Sequence, residues 1–191
     1  MTHHRLLLAA VLAAALPLAA QAAPVVYTGN LISGIALSGS AGGFSMFLNE
    51  GDGVNYWSFQ GNAGDTVTLE VDRLNANFDP ALSFYAGTTT ADTSAFDSAA
   101  SWGGLTYIGS LDDENPAHLQ PGPNGDPYGS FKLAATGSYT VIVGGSLSSD
   151  AGTYPYQITM TEVAAVPEPA TAALMALGLA GVVLVRRRRR G

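Results

Sequence analysis

Apolar and polar residues alternate with a period of two along most of the chain between Tyr56 and Thr161. Val67, Leu69 and Val71 interleave with Thr66, Thr68, Glu70 and Asp72, and Trp57 and Phe59 with Tyr56 and Ser58. Leu82 and Phe84 obey the same rule. So do Tyr139, Val141 and Val143, and then Tyr156, Ile158 and Met160 against Gln157, Thr159 and Thr161. Successive side chains of an extended strand point to opposite faces, so each run reads as a strand with one face in a core and one towards water. Nothing in residues 23–166 holds a 3.6-residue period over two turns. Glycine and Asx residues separate the runs at 61–65, Gly87, Gly103-Gly104, Thr136-Gly137 and Gly144-Gly145. Short strands with Gly-rich turns predict an all-β fold, an antiparallel, jelly-roll-like β-sandwich of about 8–10 strands.

The two ends are of another kind. His3, His4 and Arg5 precede an apolar run over residues 6–18, and Ala20-Gln21-Ala22 supplies a small-x-small cleavage pattern. That order is a secretory signal peptide, residues 1–22, cut after Ala22 by signal peptidase following Sec export. At the other end Val166-Pro167-Glu168-Pro169 is followed by residues 170–185, which carry neither charge nor proline, and then by Arg186, Arg187, Arg188, Arg189 and Arg190. As a helix, residues 170–185 would reach about 24 Å, somewhat short of a bilayer core, and snorkelling arginines make up the difference. Five arginines behind an apolar segment predict a transmembrane helix with its C-terminus in the cytoplasm and the body outside. Proline on both sides of Glu168 holds that strip extended.

Motif, apolar span and basic cluster in this order resemble the PEP-CTERM sorting signal of Gram-negative bacteria, over residues 166–191. The resemblance implies recognition by a membrane-embedded exosortase, cleavage near residues 167–169, and transfer of the body to the cell surface or the extracellular medium. It also implies association with exopolysaccharide or a biofilm matrix.

Between the ends, residues 23–165 form one exported domain, large enough for its own core. The chain contains no cysteine, which excludes disulfides, thiol catalysis and Cys-based zinc sites. Residues 23–166 hold two basic residues, Arg73 and Lys132, against fourteen Asp and Glu, a net charge of −12 that the whole-chain value of −7 conceals. Such a surface repels nucleic acid and anionic lipid and attracts divalent cations.

The blocks of the body are similar to the bacterial pre-peptidase C-terminal domain, an extracellular β-sandwich. They are Asn55-Tyr56-Trp57-Ser58-Phe59, Ala63-Gly64-Asp65-Thr66-Val67-Thr68-Leu69, and Phe78-Asp79-Pro80-Ala81-Leu82-Ser83-Phe84-Tyr85. Asp112-Asp113, the run from Ala135 to Val143, and Gly152-Thr153-Tyr154 through Ile158 complete the series. The likeness spans residues 44–162, and the segment before Phe44 and the long stretch 87–104 depart from it. It implies the fold and a binding or structural role.

Catalysis finds little support. One histidine, His118, remains in the body, in a Pro/Gly-rich loop without a nucleophile-elbow pattern, and H-E-x-x-H is absent. A calcium site is the better candidate. Asp112, Asp113, Glu114 and Asn115 offer four oxygen-bearing side chains in succession after a strand, and Asp79 or Asp126 can complete an oxygen shell. Asn75-x-Asn77-x-Asp79 has the opening spacing of a calcium loop, but Pro80 stands where glycine is needed. Trp102, in a loop before Gly103-Gly104, is the aromatic that strand packing does not account for and is a candidate ligand contact, the other reading being a loop anchor. The expectation is a non-enzymatic surface or extracellular-matrix β-sandwich. A small carbohydrate-active enzyme and a protein–protein adhesin adding strands at its sheet edges remain alternatives.

Overall fold

A computed structural model describes residues 23–116, 119–122 and 124–165. The expected signal peptide, His118, the residue 167–169 motif, the apolar span and the arginine cluster lie outside the described residues. No helix among the described residues is long and apolar enough to cross a membrane.

The expected sandwich is the fold observed. One sheet has five strands: β1 (Tyr27–Asn30), β3 (Asn55–Gly61), β10 (Gly137–Gly145), β5 (Pro80–Ala86) and β6 (Thr106–Leu111), in that spatial order. The facing sheet has four, ordered β2 (Ala36–Gly42), β11 (Thr153–Val163), β4 (Thr66–Arg73) and β9 (Tyr128–Lys132). A small ladder joins β7 (Asn115–Pro116) to β8 (Gly125–Asp126). Every pairing is antiparallel except that of β1 with β3, a parallel pair at a sheet edge.

The inward faces of the alternating runs meet as read. Val67, Leu69, Val71, Phe84, Val141, Val143, Tyr156 and Ile158 form one buried cluster between the sheets. Phe59, Phe84 and Tyr139 stack within it. A polar chain also crosses it: Trp57 Nε1 donates to the Tyr156 hydroxyl at 2.8 Å, which in turn donates to Asn55 Oδ1 at 2.8 Å. Buried polar groups need such partners, because an unmade bond there leaves the full desolvation cost.

The five-stranded sheet is covered on its outer face as well. Residues 87–104, a long loop in the sequence, fold back over β5 and β10. Phe96, Trp102 and Leu105 pack there on Tyr56, Tyr85 and Ile142, with Met46 and Val54 from the β2–β3 connection, as a second core. Asp92 caps a short 3-10 turn, Thr93–Ala95, by accepting from Ser94 N. Tyr85 OH donates to Asp97 O, and Ser83 Oγ to Ser98 O. This second layer explains Val141-Ile142-Val143 and Phe84-Tyr85. Strands buried on both faces read as continuous apolar runs rather than alternation.

Burial holds the phenols of Tyr56, Tyr85 and Tyr156 above their ordinary pKa, Tyr85 at about 12. The unfolded chain releases these protons near pH 10 and the folded chain does not. The stability they contribute is therefore complete below pH 10 and is lost as pH rises through the folded values. Thermal midpoints are expected to hold to about pH 10 and fall steeply by about pH 12. A flat profile across that interval would contradict the burial of these hydroxyls.

Strand register gives the sandwich two distinct ends. Arg73, Gly145 and Thr153 lie at one, and Thr66, Gly137 and Val163 at the other. Along β4 the separation is about 23 Å.

Candidate metal centre

The first end gathers charge because of where β4 stops. Arg73 continues the inward series Val67, Leu69, Val71, so its guanidinium enters the end of the core, with no exposure to solvent. A buried cation needs carboxylates. Arg73 Nε donates to Asp126 Oδ1 at 2.7 Å, and its NH2 lies 3.7 Å from Asp79 Oδ1. NH2 also donates to the carbonyls of Asn124 and Gly125.

Asp79 precedes β5 and is fixed from several sides. Its N donates to Ser148 Oγ, and its Oδ2 accepts from Asn124 Nδ2 at 2.8 Å and Leu147 N at 3.2 Å. Asp112 and Asp113 follow β6, the strand beside β5, so pairing of Leu82 with Leu111 carries them to the same end. Ligand oxygens of Asp79, Asp112 and Asp113 all lie within 4.8 Å of one another. Asp79 is buried, Asp112 half-buried and Asp113 exposed, so the cluster runs from the core edge to solvent.

The electrostatics are those of charge that Arg73, 3.7 Å from Asp79 Oδ1, neutralises only in part. Partial burial, reinforced by Asp113 and Asp79, pushes the Asp112 carboxyl up to about 6, against a smaller opposing effect of its bond from Ser146 Oγ. Desolvation and then the Asp79 charge push Asp113 up as well. Asp79 Oδ1 and Asp112 Oδ1 are buried and accept no hydrogen bond among the described residues. Buried carboxylate oxygens without donors are costly, and a cation among them supplies what is missing. Shallow depressions reach the cluster from two sides. One of about 170 Å³ is bordered by Met46, Ser83 and Asp112, and one of about 520 Å³ by Asp113, Pro121 and Gly125.

The six carboxylate and amide residues singled out in the sequence divide accordingly. Asp79, Asp112 and Asp113 come together. Asp126 is the counter-ion of Arg73 through Oδ1. Glu114 turns back, its Oε2 accepting from Asp112 N at 2.8 Å. Asn115 sits in the β7–β8 ladder opposite Asp126. Asn75 forms an Asx turn, its Oδ1 accepting from Asn77 N. Trp102 is 7% exposed and packs on Tyr56 and Phe96, which is the place of a loop anchor and leaves little ring face for a ligand.

Arg73 was missed by the motif reading. Its signal was available: a lone arginine at the inward parity of an alternating strand.

The ladder that carries Asp113 depends on Gly125. A Cβ there would lie 2.6 Å from the carbonyl oxygens of Asn115 and Asp113, both backbone atoms that cannot turn aside. Gly125→Ala is expected to cost about 1–3 kcal/mol and to weaken any cation binding by moving Asp113. Denaturant unfolding with a parallel calcium titration checks both, and an unaffected titration would remove Asp113 from the site.

Residues 165–190 match the PEP-CTERM protein-sorting motif. No curated protein matches the chain. Among solved structures, CorA, a surface-associated copper-binding protein important in copper acquisition in Methylomicrobium album BG8, shares the fold. It has 11% identity and a TM-score of 0.55, over 71% of this chain and 98% of that one. The periplasmic g-type lysozyme inhibitor PliG of Aeromonas hydrophila has 16% identity and a TM-score of 0.43, over 68% and 85%. The pre-peptidase C-terminal domain of a Bacillus anthracis collagenase has 12% identity and a TM-score of 0.39, over 72% and 98%.

Proposed function

We propose that this chain is a non-enzymatic, surface-delivered β-sandwich that holds a divalent cation at Asp79, Asp112 and Asp113 and uses it to associate with acidic exopolysaccharide. The sorting motif supports delivery: a PEP-CTERM tail implies an exported protein processed by an exosortase. The observation that carries the binding reading is the meeting of three carboxylates within 4.8 Å with two buried, hydrogen-bond-free oxygens among them.

The donor set selects the ion. Carboxylate oxygens suit calcium, magnesium or manganese, whereas copper prefers imidazole, thiolate and thioether. Cysteine is absent from the chain, and among the described residues the cluster contains no histidine. The copper binding of the Methylomicrobium protein is therefore not carried over. Calcium's flexible shell of six to eight oxygens tolerates three protein carboxylates with water filling the rest, and with Asp113 exposed, a uronate carboxylate can replace some of that water. At −12, the body gains little from acidic polysaccharide without such a bridge.

Capture on an acidic polysaccharide resin in calcium and in chelator tests the reading, alongside calorimetric titration with calcium. The expected result is a calcium heat and capture that chelator abolishes. Capture that persists in chelator contradicts bridging, and no calcium heat contradicts the site.

A further inference from the structure

The described chain ends at the end of the sandwich opposite the carboxylates. The last described residue is Ala165, whose N donates to Asp65 Oδ1 at 2.9 Å. Asp65 belongs to the 62–65 turn and also accepts from Asn62 N and Nδ2. The sorting motif thus begins two residues past a clamped position, and the apolar span five residues past it. Five residues of fully extended chain reach at most about 17 Å.

Apolar side chains are exposed at both ends, Phe47 and Leu147 beside the carboxylates, and here those nearest the end of the described chain. Ile32 is 60% exposed, Ile35 48% and Val163 59%. Backbone bonds bring them together. Gly34 N donates to Met160 O, and Glu162 N to Ser33 Oγ at 2.9 Å, so the 32–35 turn lies along the last residues of β11. Lys132, one of the two basic residues of the body, is exposed on this end opposite Thr66. The Asp79–Asp112–Asp113 cluster stands about 23 Å away.

We propose that this end is a lipid-facing seat: before processing, Ile32, Ile35 and Val163 rest on the membrane interface and hold the carboxylate end outward. The proposal rests on the reading of residues 170–185 as a membrane anchor. A tether of about 17 Å keeps this end next to the bilayer. Exposed isoleucine and valine gain by entering the interfacial region, and Lys132 partly offsets the Asp65 and Glu162 carboxylates of this end towards an anionic headgroup layer. The charge asymmetry acts in the same sense, because the carboxylate-rich end is repelled by that layer.

The absence of cysteine makes the test clean. The full chain, reconstituted in anionic vesicles, is labelled at Ala63→Cys beside the seat or at Ala151→Cys at the far end, and quenched by headgroup nitroxide lipids. The Ala63 label is expected to lose fluorescence and the Ala151 label to keep it. Ile32→Ser with Ile35→Ser is expected to restore the Ala63 signal. Equal quenching at both labels, or quenching that survives the double substitution, overturns the seat and leaves a passive tether. A chain that does not float with the vesicles overturns the anchor and the seat with it. An Ala63 label that is shielded in lipid-free detergent as protein concentration rises marks a second copy as the occupant, and also overturns the proposal.

Discussion

Arg73→Met is expected to destabilise the domain by about 3–5 kcal/mol and to lower its thermal midpoint by about 10 °C or more. Methionine fills much of the volume, so the loss is electrostatic. It leaves Asp126 and Asp79, at 1% and 4% exposure, without their counter-charge. Gly122 closes over the guanidinium, so water has little room to replace it. Lys132→Met, an exposed change at the opposite end, should stay within about 0.5 kcal/mol. Chemical denaturation at pH 7 reads both. An Arg73→Met midpoint equal to wild type would mean that the buried pair does not organise the site.

The strands were legible because half-burial writes itself into alternation, as in residues 66–72 and 156–161. The inward parity of that alternation even extends to Arg73, but a motif search for acidic clusters passes over it. The double burial of Tyr85 and Ile142 was not legible. It depends on residues 87–104 folding back, and nothing local says that Phe96 and Trp102 will find Tyr56. The parallel edge pair of β1 with β3 was hidden for the same reason, since short strands carry no statement of direction.

The candidate centre was half legible. Asp112-Asp113 stood out as a run and Asp79 as its nearest supplement, and the pairing of β5 with β6 brings them to one place. Asp126, which looked equivalent in sequence, is drawn to the Nε of Arg73 at 2.7 Å, whereas Asp79 stands 3.7 Å from the same guanidinium and meets Asp112 and Asp113. Glu114 bonds to the backbone two residues before it. Which carboxylates meet is decided by long-range partners, not by spacing.

The second large effect concerns calcium itself. If three carboxylates repel one another when empty and share an ion when filled, one substitution should act in opposite directions in the two states. Asp112→Asn removes a half-buried charge held near pKa 6 by desolvation and by its neighbours. After allowance for solvent screening, it should stabilise the metal-free domain by on the order of 1 kcal/mol at pH 7. The same change removes a ligand. Calcium at a hundred times its dissociation constant should stabilise the wild type by about 2.7 kcal/mol, or roughly 5–10 °C, and the variant by far less.

The most direct measurement is therefore a pair of melts, wild type and Asp112→Asn, each in calcium and in chelator at pH 7. The structure predicts that the curves cross: the variant melts above wild type in chelator and below it in calcium. Midpoints that calcium leaves unmoved in the wild type, or a variant that keeps the full calcium shift, would contradict the assignment of Asp79, Asp112 and Asp113 as a cation site.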